Sequence, residues 1–132
     1  MPSRSRSELR SERGQTAVEF ALVAPLLIVL LLGVIQVGLA FNHYVTLTDA
    51  ARAGARKAVV ARFSSMSTAD IEQAVRDAAS DLDQSQLGVS VSSTWQPGSQ
   101  VSVTATYPYS IDLFGVVVKS GTLATTMKER VE

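Results

Sequence analysis

Cysteine is absent from this chain of 132 residues, and histidine and tryptophan each occur only once. Without cysteine the chain can form neither a disulfide nor a thiol-based active site. The single histidine, His43, has no second histidine or cysteine with which to build a zinc site. Twelve basic residues balance twelve acidic ones, so the net charge gives no indication of a nucleic-acid partner.

Known catalytic signatures are missing as well. The sequence contains no Gly-x-Ser-x-Gly elbow, no phosphate-binding glycine loop and no dinucleotide-binding fingerprint. We therefore expect neither enzyme activity nor a cofactor. Asp77, Asp81 and Asp83 form an acidic cluster, but it lacks the glycine and final glutamate of a calcium-binding EF-hand loop, and exposed loop carboxylates are the simpler interpretation.

The chain does have a long apolar run. No charged residue interrupts Phe20 to Phe41, and as a helix this run would extend about 33 Å, against roughly 30 Å of bilayer hydrocarbon. It can therefore cross a membrane once. Glu19 stands at its edge, where an ionisable residue is by default a functional hypothesis. The alternative is a carboxylate at head-group level that complements the positive end of the helix dipole.

A glycine precedes this carboxylate by five residues, in the stretch Arg13-Gly14-Gln15-Thr16-Ala17-Val18-Glu19-Phe20. The arrangement resembles the processing site of type IV prepilins. In those proteins a prepilin peptidase cuts after such a glycine, and the fifth residue of the mature chain is a glutamate. The resemblance implies a cut between Gly14 and Gln15, after which Glu19 would neutralise the new amino group of Gln15 within the filament.

Over a longer stretch, residues 13–60 resemble the TadE-like family of minor pilins, also called pseudopilins, of tight-adherence (Tad) type IV pilus systems. Residues 13–27 and the alanine- and arginine-rich residues 49–56 carry the likeness, and residues 106–109 and 113–115 are similar to the family more loosely. Phe20 and Pro25 lie in the matching segment, and the resemblance implies that both take part in assembly.

The family resemblance also implies a location and partners. It implies a single-pass protein of the cell membrane whose C-terminal domain lies outside the cytoplasm and, after assembly, in the extracellular pilus. Such a protein takes part in assembly or initiation of an adhesive pilus. Its implied partners are a prepilin peptidase, other pilin subunits, the Tad assembly machinery and membrane lipid.

Pro25 falls inside the apolar run, where it removes one helical hydrogen bond and crowds the carbonyl of Ala21. We expect a local bend or a loosened turn at this point. Such a turn would help a subunit to leave the bilayer for a filament. The alternative is an ordinary membrane proline, which neighbouring groups accommodate.

Three segments follow from composition and periodicity. Residues 1–14, rich in serine and arginine and without an apolar face, are predicted to be a cytoplasmic leader without regular structure. Residues 15–62 are predicted to form a transmembrane and stalk helix, and residues 63–132 a domain that the resemblance places outside the cytoplasm. Basic residues after the span (Arg52, Arg56, Lys57 and Arg62) nearly equal those before it, so the orientation rests on the resemblance.

The elements of the domain follow from hydrophobic spacing. A stripe of small and apolar residues predicts that the first helix continues beyond the membrane: Leu47, Ala51, Gly54, Ala58 and Ala61. A second helix is predicted over 68–82, with Ser67 as its N-cap and Asp70 completing a capping box. Four strands are predicted beyond it, separated by a turn at 96–99, a loop at 108–115 and a turn at 120–121. The predicted fold class is α+β and pilin-like, with both helices beside a small antiparallel sheet.

A membrane-anchored or secreted binding module with no role in a pilus is the alternative function. Gly38 and Ala40 could serve as a signal-peptidase site before Phe41. Against this interpretation, the apolar run is longer than the roughly 7 to 15 residues of a signal peptide. Tyr109 and Phe114 would form an exposed contact patch under either function, or else belong to the core, which is what we expect.

Overall fold

A single helix of 55 residues, α1 (Arg6–Val60), forms one side of the molecule. The structure, a computed structural model, describes residues 6–61 and 66–131, and the side chains of residues 14–61 and 66–131. At 1.5 Å per residue, α1 is about 80 Å long. Its apolar N-terminal half is long and apolar enough to cross a membrane and is not buried inside the protein.

The beginning and end of α1 differ from the prediction. The helix begins at Arg6, within the leader for which we predicted no regular structure. Helix formation is cooperative, so a helix already formed at residue 14 extends backward at little cost even without an apolar face. Residues 1–5 of the leader, Arg62 and the predicted boundary between residues 62 and 63 lie outside the part of the chain that the structure describes.

The C-terminal half of α1 supplies one wall of the hydrophobic core. The predicted stripe is confirmed, because all five of its members are buried: Leu47, Ala51, Gly54, Ala58 and Ala61. Small residues on this face let the sheet approach closely. A Cβ added at Gly54 would collide with Cγ2 of Val75 and lie 3.3 Å from Cγ1 of Val103.

A shorter helix, α2 (Thr68–Ala78), packs on α1 and buries Ile71 and Val75. The predicted capping box is present: the backbone N–H of Ser67 donates to Oδ2 of Asp70 at 2.7 Å, and the backbone N–H of Asp70 donates to the Ser67 hydroxyl at 3.3 Å.

The predicted end of α2 at residue 82 is wrong by four residues. The side-chain amide of Gln84 donates to the carbonyl of Ala79 at 2.8 Å and to that of Leu82 at 3.1 Å. These bonds satisfy two carbonyls that lie beyond the end of α2. Leu82 nevertheless stays buried.

Three antiparallel strands in the order β1-β2-β3 complete the fold: β1 (Gly88–Ser92), β2 (Gln100–Leu113) and β3 (Val116–Arg130). β1 pairs only with the first half of β2, from Gly88 opposite Thr106 to Ser92 opposite Ser102. β2 and β3 pair along their whole length, with an irregularity between Ile111 and Asp112. The arrangement confirms the predicted α+β, pilin-like fold class.

Two predicted interruptions of the sheet are wrong. The predicted loop at 108–115 is mostly strand, because Pro108 lies beyond the end of β1, where β2 has no strand partner on one side and a missing N–H is tolerated. The predicted turn at Ser120–Gly121 is also strand, because Gly121 pairs with Tyr109, whose ring covers it. The two strands predicted on either side of residues 120–121 are therefore one strand, β3, and the described residues form three strands where four were predicted.

The turns at the two ends of β2 differ in the residues that adopt a positive φ. The predicted turn at 96–99 is confirmed by a 2.9 Å hydrogen bond from the N–H of Ser99 to the carbonyl of Gln96, with Gly98 at a positive φ of 78°. The turn between β2 and β3 consists of Phe114 and Gly115, with φ of 55° and 82°. Two consecutive positive φ values are typical of a type I′ hairpin turn, which ordinarily favours Asn-Gly.

Candidate functional site

The predicted processing residues lie together near the beginning of α1. Gln15 and Glu19 are one helical turn apart, and the side-chain amide of Gln15 donates to Oε1 of Glu19 at 3.1 Å. Both side chains are exposed. The carboxylate of Glu19 therefore already lies within reach of the residue whose amino group a cut after Gly14 would create.

Gly14 is not packed against any side chain that the structure describes. No such side chain lies within 4 Å of the position that a Cβ would occupy, and the φ of Gly14 is not in the left-handed region. Inside a helix a glycine costs up to about 1 kcal/mol relative to alanine. The residue thus weakens α1 at the bond between Gly14 and Gln15, where a protease would have to unwind the helix.

Phe20 and Pro25 lie on the part of α1 that no other part of the described chain covers. Phe20 is 71% exposed, and Leu26, beside Pro25, is 68% exposed. α1 continues through Pro25 as one helix, and the bend predicted there stays a prediction. This surface is available to lipid or to the helices of other subunits.

A second group of contacts joins the hairpin to α1 where the helix leaves the apolar run. The side-chain amide of Gln36 donates to the backbone carbonyl of Asp112, and its oxygen accepts from the backbone N–H of Asp112 at 2.6 Å. Further along α1, the ring of His43 meets the ring of Tyr107 edge to face, with centroids 5.4 Å apart. Both helical residues are half-buried.

These contacts were only partly visible in the sequence. Gln36 is the amide of the apolar run, and its partner is the backbone of the chain's own hairpin, 76 residues away. For His43 the sequence indicated no zinc site, and the structure adds its contact with Tyr107. A lone amide side chain in an apolar run was the one signal that a polar partner existed.

The prediction that Phe114 belongs to the core is wrong, because 72% of its surface is exposed. It lies at the tip of the hairpin, where the chain turns back. Tyr109 is half-buried, with its ring atom Cε1 only 2.9 Å from the position of a Cβ on Gly121. The two aromatic residues therefore do not form one patch.

Two carboxylates of the acidic cluster accept hydrogen bonds from neighbouring residues. Asp83 accepts hydrogen bonds from the hydroxyl of Ser85 at 2.6 Å and from its backbone N–H at 3.0 Å, which lower the pKa of this carboxyl below its ordinary value. Asp77 accepts from the amide of Gln73 at 2.7 Å. Within the described ranges, no three His, Asp or Glu side chains converge as metal ligands.

Comparison with known protein families relates the chain to one of them. The family model for TadE-like proteins matches residues 14–56, which contain Gly14, Glu19, Pro25 and Gln36. It ends within the helical stripe that packs against the sheet. The chain matches no curated protein and no solved structure. The family resemblance deduced from residues 13–60 is thereby confirmed over residues 14–56.

Proposed function

We propose that the chain, whose residues 14–56 match the family model for TadE-like proteins, is a minor pilin that a prepilin peptidase processes and that takes part in assembly or initiation of a Tad-type adhesive pilus. The family relates the chain to Tad pili. Its processing, its place in the filament and its partners are the proposal.

The observation that carries the proposal is the placement of Gly14, Gln15 and Glu19 directly before the apolar half of α1. The peptidase would hydrolyse the peptide bond between Gly14 and Gln15, leaving a carboxylate on Gly14 and an ammonium group on Gln15. The peptidase would supply the catalytic groups for this hydrolysis, and this chain would be its substrate. Gly14 suits the role because, among the described residues, no side chain packs against its position.

The carboxylate of Glu19 would then meet a positive charge. Gln15 and Glu19 already share a side-chain hydrogen bond of 3.1 Å. The new ammonium group on Gln15 would therefore lie within about one helical turn of the Glu19 carboxylate. In the apolar interior of a filament, an unpaired charge costs several kcal/mol, and pairing within one subunit or between neighbours reduces that cost.

Membrane anchorage is the other half of the proposal. α1 would cross the cell membrane once, with residues 1–14 in the cytoplasm and the sheet outside. Exposed apolar side chains along residues 20–41, including Phe20 and Leu30, would face lipid before assembly and neighbouring pilin helices afterwards. The binding module considered from the sequence would require the same helix only as an anchor.

The N-terminal residue of the mature protein tests the proposal. We expect intact mass and terminal sequencing of the chain from its native membrane to give a start at Gln15 that depends on the peptidase. Gly14→Leu should abolish this cut, whereas Gly38→Leu, at another open glycine of α1, should leave it unchanged. A start at Phe41, or an uncut chain in the presence of the peptidase, would refute the processing.

A further inference from the structure

The β2–β3 hairpin runs down α1 toward the membrane. A Cβ on Gly54 would touch Val103, the ring of His43 contacts Tyr107, and Gln36 binds Asp112. As residue numbers rise along β2, they fall along α1. The tip of the hairpin therefore points into the part of α1 that lies inside the apolar run.

The position of Gln36 sets the depth of the tip. Gln36 lies five residues before Phe41, the last residue of the apolar run, which is about 7.5 Å along a helix. β2 continues beyond Asp112 and turns at Phe114, which adds about 5–7 Å. The tip thus lies roughly 13 Å below the level of Phe41, within the half of the hydrocarbon layer, about 15 Å thick, that faces the domain.

The composition of the tip matches this depth. Residues 113–118, Leu-Phe-Gly-Val-Val-Val, contain no polar side chain. Four of them are large, apolar and well exposed: Phe114 at 72%, Val116 at 66%, Val117 at 59% and Val118 at 62%. They continue the exposed apolar surface of α1, where Val34 is 61% exposed. The charged residues that flank the tip lie at its upper edge on the two strands: Asp112 pairs with Val117, and Lys119 pairs with Ile111.

Two details are poorly explained by a hairpin in water. Phe114 adopts a φ of 55°, which a bulky side chain disfavours and which asparagine or glycine would adopt readily. The side-chain amide of Gln36 donates to the carbonyl of Asp112 and accepts from its N–H. Asp112 lies past the last residue of β2 that pairs with β1. In hydrocarbon, unpaired backbone groups of this kind cost several kcal/mol each, so an amide is needed at this point.

We propose that the tip of the β2–β3 hairpin, residues 113–118, enters the outer leaflet beside α1 and contacts lipid acyl chains, giving the protein a second membrane contact. The inference rests on the membrane anchorage proposed above. Val116, Val117 and Val118 pack against the acyl chains together with Phe114. The ammonium group of Lys119 reaches back to the head groups on its flexible stem.

Depth-dependent fluorescence quenching tests this contact in the full chain. Trp95 is the only tryptophan, so a Trp95→Phe background accepts one reporter at Val117→Trp at the tip or at Leu30→Trp in the span. The chain is placed, well diluted, in phosphatidylcholine–phosphatidylglycerol vesicles whose acyl chains carry bromine. We expect quenching at Val117→Trp to be at least half as strong as at Leu30→Trp, whereas the native Trp95 should be quenched by aqueous iodide instead.

Phe114→Asn separates lipid contact from folding. Asparagine suits the positive φ of this turn better than phenylalanine does, so the hairpin should stay folded. Bromine quenching at Val117→Trp should nevertheless fall when Phe114→Asn is added. Val118→Trp replaces Val117→Trp if circular dichroism shows the latter to be misfolded.

The outcomes are distinct. Quenching of the tip tryptophan by iodide but not by bromine would overturn the inference, because the tip would then lie in water. Quenching by neither would also overturn it, because the tip would then contact protein. If Leu30→Trp is quenched and Val117→Trp is not, only the hairpin contact fails. If the chain does not float with the vesicles, the anchorage itself fails.

Discussion

The side chain of Val75 on α2 occupies the space directly above Gly54 on α1, and a Cβ on Gly54 would collide with its Cγ2 atom. Cγ1 of Val103 on β2 would lie 3.3 Å from the same Cβ. The absence of a side chain at Gly54 therefore sets how closely the two helices and β2 approach one another. Glycine at this position disfavours the helix but permits the packing.

Gly54→Ala should therefore destabilise the domain. The added methyl group improves helix propensity by up to about 1 kcal/mol but overpacks the core at a cost of about 1–3 kcal/mol, so we expect a net loss of roughly 1–2 kcal/mol in the free energy of unfolding. Chemical denaturation of the full chain in detergent micelles measures it. Gly38→Ala, where no atom lies within 4 Å, is the control and should cause no loss.

Adding Val75→Ala tests the cause of that loss. The double variant Gly54→Ala with Val75→Ala should be more stable than the sum of the two single effects predicts, because the smaller side chain leaves room for the methyl group. Strict additivity would show that the helices do not meet as described.

Gln36→Leu should loosen the end of the hairpin. It removes both hydrogen bonds to the backbone of Asp112, and each unsatisfied group costs about 1–3 kcal/mol. We expect amide hydrogen exchange at residues 111–113 to accelerate by about tenfold or more. Val37→Ala, which truncates the adjacent side chain, 57% exposed, serves as the control. Equal exchange in Gln36→Leu and wild type would show that the amide does not hold the hairpin.

Acid should weaken the N-terminus of α2. Asp70 accepts hydrogen bonds from the backbone N–H and the hydroxyl of Ser67, and these, with the nearby charge of Lys57, lower the pKa of Asp70 below its ordinary 3.8. A carboxyl whose pKa is lower in the folded state stabilises that state fully above its unfolded pKa. This contribution is lost as the pH falls below about 3.8 and through the folded value.

Ser67→Ala should raise the pKa of Asp70 toward 3.8 without reaching it, because the backbone N–H of residue 67 still donates. Carboxyl NMR titration of the full chain in micelles measures the change. Ser85→Ala is the matched control, since it should raise the pKa of Asp83 and leave that of Asp70 unchanged. An unchanged pKa of Asp70 in Ser67→Ala would contradict the capping-box explanation.

Glu19→Gln should separate processing from assembly. The amide keeps the shape of the side chain but cannot neutralise the new ammonium group of Gln15. If an unpaired buried charge costs several kcal/mol, the fraction of chain recovered in pili should fall by about tenfold or more, while the start at Gln15 persists. Asp49→Asn, at an exposed carboxylate of the same helix, is the control. Equal recovery of Glu19→Gln and wild type in pili would refute the charge pairing.

Local signals in the sequence predicted most of the fold. Ser67 and Asp70 fixed the beginning of α2 because a capping box involves residues only three apart. The stripe from Leu47 to Ala61 predicted the buried face of α1 because its period is that of the helix itself. Val101 and Val103 lie in the strand predicted between the turn at 96–99 and the loop at 108–115, and both are fully buried on the inner face of β2.

The errors arose where a distant partner changes the meaning of a local signal. Pro108 and Ser120-Gly121 are ordinary turn residues, but Pro108 lies past the end of β1 and Gly121 lies under the ring of Tyr109. Phe114-Gly115 forms the true turn without the usual asparagine. Gln36 and Asp112 are 76 residues apart, so no local pattern could pair them. The candidate processing residues, by contrast, were identifiable because they adjoin one another in sequence.

α1 is continuous from the apolar run into the core, where Leu47 and Ala50 are fully buried. No break in α1 therefore separates the domain from the apolar run. If α1 crosses the bilayer as proposed, a tilt of α1 tips the sheet by the same angle, and a pull along α1 acts directly on the core. A pilus subunit of the proposed kind would therefore transmit force and orientation from its apolar run to its sheet through one continuous helix.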